Sequence, residues 1–205
     1  MNEEAKKALN IFQKTVEAQI AHTQNSIDYQ ALSKAAELIQ TAVNNQGRLH
    51  VTGIGKSGHV AEYIASLITS TGTPTYFLHG TEAVHGSSGQ LVSGDVVIGI
   101  SNSGNTEELI STILCAKNNG CKIIGVTAEP TSRLGRESDV CLKADMTSFG
   151  EGGPLNRAPR ASILAQEIVL MYLSVILQAD AHVTPEEYVM HHPHGALGKL
   201  RKNEI

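Results

Sequence analysis

The chain of 205 residues is 41% hydrophobic and 4% aromatic, enough to bury one substantial core, so a single domain is expected. Its formal net charge of −4 argues against nucleic acid or another polyanionic surface as the main partner. The N-terminus Met1-Asn-Glu-Glu-Ala-Lys-Lys7 lacks the apolar core of a signal peptide, no later apolar run reads as a membrane span, and Cys115, Cys121 and Cys141 form no C-x-x-C pair, which together predict a soluble cytoplasmic protein with reduced, buried thiols and no membrane partner.

Leu9, Phe12, Val16 and Ile20, then Leu32, Ala35, Leu38, Ile39 and Val43, recur at helical spacing and predict two amphipathic helices over about residues 3–24 and 27–45. Strand-like runs follow at 49–53, 75–78, 96–101, 122–127 and 140–143, separated by helical patterns at 60–70 and 107–119. This alternation implies the α/β class, with a five-stranded parallel sheet flanked by helices. The domain then divides into an N-terminal helical pair, 1–46, and an α/β core with C-terminal helices, 47–205. That pair exceeds what such a sheet needs for cover, which places it at the interface of a homo-oligomer. Gly120 stands where a helix C-cap belongs. Residues 145–160, with Gly150, Gly152, Gly153, Pro154 and Pro159, read as a long functional or mobile loop. A helix over 161–177 follows, then Thr184-Pro-Glu-Glu as a helix start leading to His191-His-Pro-His-Gly195.

The segment Ile98-Gly-Ile-Ser-Asn-Ser-Gly-Asn-Thr-Glu-Glu-Leu109 runs from a strand through small hydroxyl residues into a helix. Ser101, Ser103 and Thr106 offer hydroxyls, Gly104 lets the backbone come close, and the helix start supplies unpaired N–H groups, which together suit a phosphate. The bland alternative is an ordinary capped βα turn. Gly53-Ile-Gly-Lys-Ser-Gly58 matches the dinucleotide fingerprint only formally, because the second strand ends in His79-Gly80 where a ribose-binding acid belongs. A P-loop fails on spacing, since the position that must be glycine is His50. What remains is Lys56 in a glycine-flanked turn, which could also be a solvated surface lysine. Both turns would open on one sheet edge as a sugar-phosphate pocket, with Glu108 either a base or a dipole-complementing residue. His191, His192 and His194, with His85, have no established metal-ligand spacing, so no metal is expected.

Five ordered motifs, Gly53-x-Gly-Lys-Ser-Gly-His59, Ser70-Thr-Gly-Thr-Pro74, Glu82-Ala-x-His-Gly86, Ser101-Asn-Ser-Gly104 and His192-Pro-x-Gly-Ala-Leu-Gly198, resemble the sugar isomerase (SIS) domain of the arabinose-5-phosphate isomerases. The resemblance runs from about residue 48 to 200. It implies a flavodoxin-like SIS fold, the substrate pair D-arabinose 5-phosphate and D-ribulose 5-phosphate, no cofactor, and a homotetramer with shared active sites. It places the catalytic groups on Lys56, Glu108, Glu151 and His192. The substrate- and phosphate-binding set is then Gly55, Ser57, His85, Ser101, Asn102, Ser103, Gly104 and Thr106. By analogy the pathway is supply of the eight-carbon sugar acid Kdo. Many members carry paired regulatory CBS domains after this domain; the sequence ends at Ile205 without them, so regulation through them is not expected. Arg160 replaces one of the family's Thr and Ser positions, His194 replaces a glycine, and Glu151 is matched through Glu-x-x-Pro-Leu155 after a short insertion. Those departures bear on substrate choice.

Interconverting an aldose and a ketose moves a proton between adjacent carbons through an enediol, which requires a carboxylate within reach of both carbons. Glu108 or Glu151 could serve, and Glu151 is preferred for its glycine-flanked loop. Lys56 suits the developing oxyanion, and His192 suits ring opening or hydroxyl proton transfer. The alternatives are an isomerase of another sugar phosphate and a non-catalytic sugar-phosphate sensor.

Overall fold

The computed structural model describes residues 1–204. Seven helices and five strands follow in chain order: α1 Glu3–Asn25, α2 Tyr29–Asn44, β1 Leu49–Gly53, α3 Lys56–Ser70, β2 Thr75–Phe77, β3 Val96–Ile100, α4 Glu107–Asn118, β4 Lys122–Thr127, α5 Arg133–Glu137, β5 Val140–Lys143, α6 Ala161–Ala181 and α7 Pro185–His191. The strands form one sheet in the order β2-β1-β3-β4-β5 with every pair parallel. β1 and β3 are buried along their whole length, as central parallel strands covered on both faces must be.

Each face has its own core. Ile64 and Ile68 of α3, Leu32 and Ile39 of α2, and Val169 and Leu173 of α6 pack with Leu49, Val51, Ile98 and Val126 of the sheet. Leu109, Ile110 and Ile113 of α4 pack with Leu134, Leu78, Val97 and Ile123 on the other side. The chain reverses its direction of travel across the sheet between β1 and β3, and open α/β sheets bind ligands at such a switch point.

Several expectations are corrected here. α3 begins at Lys56 rather than near residue 60, because its first turn, Lys56-Ser-Gly-His, carries no apolar periodicity to announce it. α5 and two short 3-10 turns, Glu82–His85 and Ser87–Gln90, escaped the pattern reading for want of length. α6 is long and apolar enough, by length and composition, to cross a membrane, contrary to the reading that no run approaches a span. Its apolarity has a use in the fold: Ala165, Val169, Leu173 and Leu177 are buried, and α6 packs against α1, α2 and α3.

α1 also departs from its apolar pattern. Leu9 and Ile20 are 53% and 36% exposed, whereas the buried positions are Thr15, Gln19 and Thr23. Gln19 explains this polar seam. Its Nε2 donates to the Asp145 carbonyl at 2.8 Å, and its Oε1 accepts from the Thr147 backbone N–H at 3.0 Å, so α1 clamps the start of the 145–160 loop.

At the edge of the sheet where the strands begin, Asp95 is fully buried and accepts from the backbone N–H groups of Arg48 and Val92 and from the Arg48 guanidinium. The His50 Nε2 lies 3.2 Å from the same carboxylate. Burial pushes the Asp95 carboxyl up, but the N–H groups of Val92 and Arg48 and the neighbouring positive charge outweigh it and hold the group below 3.8. Burial pushes His50 below 6.5 despite the Asp95 charge. In both cases the unfolded chain binds the proton first. The expected result is a melting temperature that falls as pH drops below 6.5 and falls further below 3.8. Thermal melts of His50→Gln should lose the first of these declines; an unchanged profile would exclude His50 as its source. Nearby, burial pushes the Cys121 thiol up to about 11; all three cysteines are free, but only Cys121 is buried as expected, Cys115 and Cys141 being half-buried.

Candidate active site

Gly53 at the end of β1 lies opposite Ile100 at the end of β3, so the turns that follow leave the sheet side by side. In the first, an added Cβ on Gly53 would lie 2.7 Å from the Ser57 carbonyl carbon. The glycines of the formal dinucleotide fingerprint therefore serve a close strand-to-helix approach. Lys56 and Gly55 are exposed at the mouth of this turn, and Lys56 forms no ion pair among the described residues. Ser57 is half-buried, and its Oγ donates to Gln166 Oε1 at 3.0 Å.

The second turn is built from its own side chains. The buried Ser101 Oγ accepts from the Gly104 N–H at 3.1 Å and lies 3.1 Å from the Thr106 Oγ1. The Asn102 carbonyl accepts from Ala128 N–H at 3.0 Å, and the Gly104 carbonyl from Leu134 N–H at 2.9 Å, so the β4 exit and α5 brace the loop. The Asn102 Oδ1 is buried without a partner among the described residues. Ser103 is exposed, and its Oγ accepts a 3.3 Å bond from Asn105 N–H, leaving its own hydrogen free to donate. Ser101 is thus a loop former, while Ser103 and the half-buried Thr106 are the hydroxyls placed for a ligand.

Both helix starts at the switch point lack a cap. α3 begins after Gly55 and α4 after Thr106, each with no side-chain acceptor on its first N–H groups. The other five α-helices have one: Asn2, Asp28, Ser132 and Thr184 at their own caps, and the Glu151 carboxylate at α6. Unpaired N–H groups and two positive dipole ends therefore converge between the turns, an arrangement that suits an anion.

The carboxylates occupy different settings. Glu108 is exposed in the first turn of α4, two residues beyond Thr106, whereas its neighbour Glu107 is held by Arg133 with both oxygens at 2.8 Å. Glu151 is 9% exposed, and its Oε2 accepts from Arg160 N–H at 2.6 Å and Ser162 N–H at 3.2 Å. The long, glycine-flanked loop around Glu151, read from the sequence as functional or mobile, is fastened at both ends by Gln19 and by the Glu151 carboxylate. Through α6 this carboxylate stands on the Lys56 side of the cleft, because Gln166, one turn beyond Ser162, carries the bond to Ser57.

The histidines lie elsewhere in the chain. His85 is exposed in a 3-10 turn packed beside α4. His192 caps α7, stacks on Tyr188 at 4.2 Å and places its Nδ1 2.8 Å from the Tyr188 carbonyl. Together with His191, whose Nδ1 lies 3.4 Å from the Ser70 carbonyl, it lines a groove that runs along the later turns of α3 from Glu62 to Ser70 and on to Pro74. Lys56 to Ser70 is about 21 Å along that helix at its rise of ~1.5 Å per residue. Within one copy, no hydrogen bond and no shared groove joins His192 to Lys56 among the described residues. Among the described residues no three His, Cys, Asp or Glu side chains are grouped to hold a metal ion. Gln166 went unread in the sequence, where its only signal is an amide inside an apolar helical stretch.

The strand order defines a doubly wound α/β protein, and the uncapped helix starts and hydroxyl-lined turn make its switch point the candidate anion site. Residues 42–175 match the SIS domain, and the chain belongs to that family. Among curated proteins it is 35% identical over 199 residues to the arabinose 5-phosphate isomerase KdsD of Francisella tularensis, covering 97% of this chain and 60% of that protein. It is 39% identical over 166 residues to KdsD of Pseudomonas aeruginosa, covering 81% and 49% respectively. The chain therefore spans about half to three-fifths of the length of these relatives. Its fold superposes with a TM-score of 0.85 on an Escherichia coli CFT073 protein solved in complex with A5P, at 30% identity over 94% of this chain and 100% of that one.

Proposed function

We propose that this protein is a phosphosugar aldose–ketose isomerase that interconverts D-arabinose 5-phosphate and D-ribulose 5-phosphate. The observation that carries the reading is the pair of uncapped helix N-termini that follow the neighbouring ends of β1 and β3, together with Lys56 and the Ser101–Thr106 hydroxyls. The phosphate sits on the α4 start, bonded by Ser103, Thr106 and backbone N–H groups, and the carbonyl end of the open-chain sugar reaches towards Lys56. A carboxylate takes the C2 proton of the aldose while O1 gains a proton, giving the enediol. O2 then loses its proton and the same carboxylate returns one to C1, so no atom or electron is gained or lost. Lys56 stabilises the oxyanion that develops on the way. The sensor alternative gives no role to Lys56, which is exposed at the mouth of its turn without an ion-pair partner among the described residues. KdsD relatives and the complex with A5P support the pentose phosphate as substrate, and by the same likeness the product serves Kdo supply; the compartment assigned to it in this proposal is the cytoplasm.

His192 acts in this scheme from a second copy, in a homotetramer that uses the exposed Leu9 and Ile20 of α1 at its interface. The test is turnover of a panel of pentose and hexose phosphates, with free arabinose included and a chelator present, on protein sized by sedimentation. The expected result is arabinose 5-phosphate turnover by an oligomer without added metal. Equal activity on free arabinose would remove the phosphate as the recognition handle, and preference for a hexose phosphate would change the sugar. Binding without turnover would make the protein a sensor, full activity in a monomer would end the shared site, and chelator inactivation reversed by one divalent ion would bring in a metal.

A further inference from the structure

We propose that Gln166 is a positioning residue that aims Lys56, with the first turns of α6 serving as a common mount for Lys56 and Glu151; this rests on the isomerase reading above. Lys56 has no ion-pair partner among the described residues, so its direction is inherited from the first turn of α3. That turn follows Gly55 and has no cap. Its side-chain hydrogen bond to another element is Ser57 Oγ to Gln166 Oε1, 3.0 Å.

Gln166 is 1% exposed, inside the apolar run Ile163-Leu-Ala-Gln-Glu-Ile-Val-Leu170, where a methionine or leucine would fill the space without burying an amide. Its Nε2 is buried and has no partner among the described residues. A half-satisfied buried amide is costly and calls for an explanation beyond packing. The aim of the neighbouring lysine supplies one. One turn earlier on the same helix, the Ser162 and Arg160 N–H groups hold the Glu151 carboxylate. Glu151 arrives from the loop after β5 and Lys56 from the turn after β1, so α6 is the element on which their spacing is fixed. A base and an oxyanion-stabilising cation must keep such spacing to well under an ångström, and a misplacement of about 1 Å can cost roughly a hundredfold in rate.

The experiment compares Gln166→Leu, Ser57→Ala, their combination and Gln166→Glu, which keeps an acceptor oxygen for the Ser57 hydroxyl. Gln166→Leu and Ser57→Ala are each expected to lower kcat by roughly ten- to a hundredfold with KM within about twofold. The double variant should be no worse than the poorer single one, and Gln166→Glu should recover much of the loss. Losses that multiply, or a KM rise confined to Ser57→Ala, would overturn the proposal in favour of Ser57 contacting substrate directly. The second readout is independent of turnover: the resonance of Lys56 in 13C-dimethylated protein, identified by its absence in Lys56→Arg, should move alike in Gln166→Leu and Ser57→Ala. An unmoved resonance overturns the proposal whatever the kinetics. If the wild-type protein isomerises no sugar phosphate, the isomerase reading falls and this resonance decides the role of Gln166.

Discussion

Glu151→Gln should slow isomerisation by on the order of a hundred- to ten-thousandfold, the usual loss on removing a general base. Two arguments place the base here. Glu108 stands two residues beyond Thr106, at the end of the cleft assigned to the phosphate, whereas the proton moves between C1 and C2 at the other end. Glu151 is on the Lys56 side, and its buried carboxylate is fixed by two backbone N–H groups, with the second oxygen left for the sugar. Glutamine keeps an acceptor oxygen for Arg160 and Ser162, so the cap of α6 should survive and the melting temperature should change little. Glu108→Gln should act mainly on KM, changing kcat less than tenfold by the same reasoning. Solvent-deuterium exchange at the substrate carbon is the deciding measurement. Loss of exchange in Glu108→Gln with near-normal exchange in Glu151→Gln would reverse the roles, and indifference to both would end the isomerase reading.

Gly104→Ala should be nearly as damaging, by a different route. The residue has φ +63°, and an added Cβ would lie 1.9 Å from Ser132 Oγ and 2.8 Å from Thr127 Oγ1. The Ser101–Thr106 turn can accept it only by leaving its brace on α5 and β4. Expected outcomes are a melting temperature several degrees lower and a KM for the sugar phosphate raised at least tenfold, in line with losing one or two charge-assisted hydrogen bonds at about 1.5–3 kcal/mol each. Gly55→Ala is the control. Gly55 has φ +60° and ψ −128°, but its added Cβ would meet nothing within 4 Å, so it should cost only the backbone term of about 1–3 kcal/mol. Equal KM changes in the two variants would show that strain, rather than the collision with Ser132, governs the loop.

The strands were legible because parallel strands buried on both faces are written in short apolar runs, and 49–53, 122–127 and 140–143 coincide with β1, β4 and β5. The two site turns were legible because glycines and hydroxyls crowd beside strand ends. Burial on α1 was not. Periodicity selected Leu9 and Ile20, yet the groups turned inward are Thr15, Gln19 and Thr23, whose burial depends on a loop about 126 residues away by the Gln19–Asp145 bond. His192 was identified by its motif, but a motif carries no distance, and only the length of α3 separates it from Lys56. Gln166 was hidden because a single amide in an apolar helix looks like a solvent-facing position until its neighbour is known.

The sheet is a partition as well as a platform. Lys56 and Glu151 are carried by α3 and α6, which rest on one hydrophobic core, while the phosphate turn rests on α4 and α5 and the other. The two halves of the cleft are joined by strand backbone and by Ile54 of the Lys56 turn, which packs against the second core. A side chain exchanged in the α3–α6 core away from Ile54 therefore moves one wall of the pocket more than the other. The grip on the phosphate and the reach to the reacting carbons can drift separately, and a sugar one carbon longer could be accommodated by repacking beneath α6 without disturbing the anion seat.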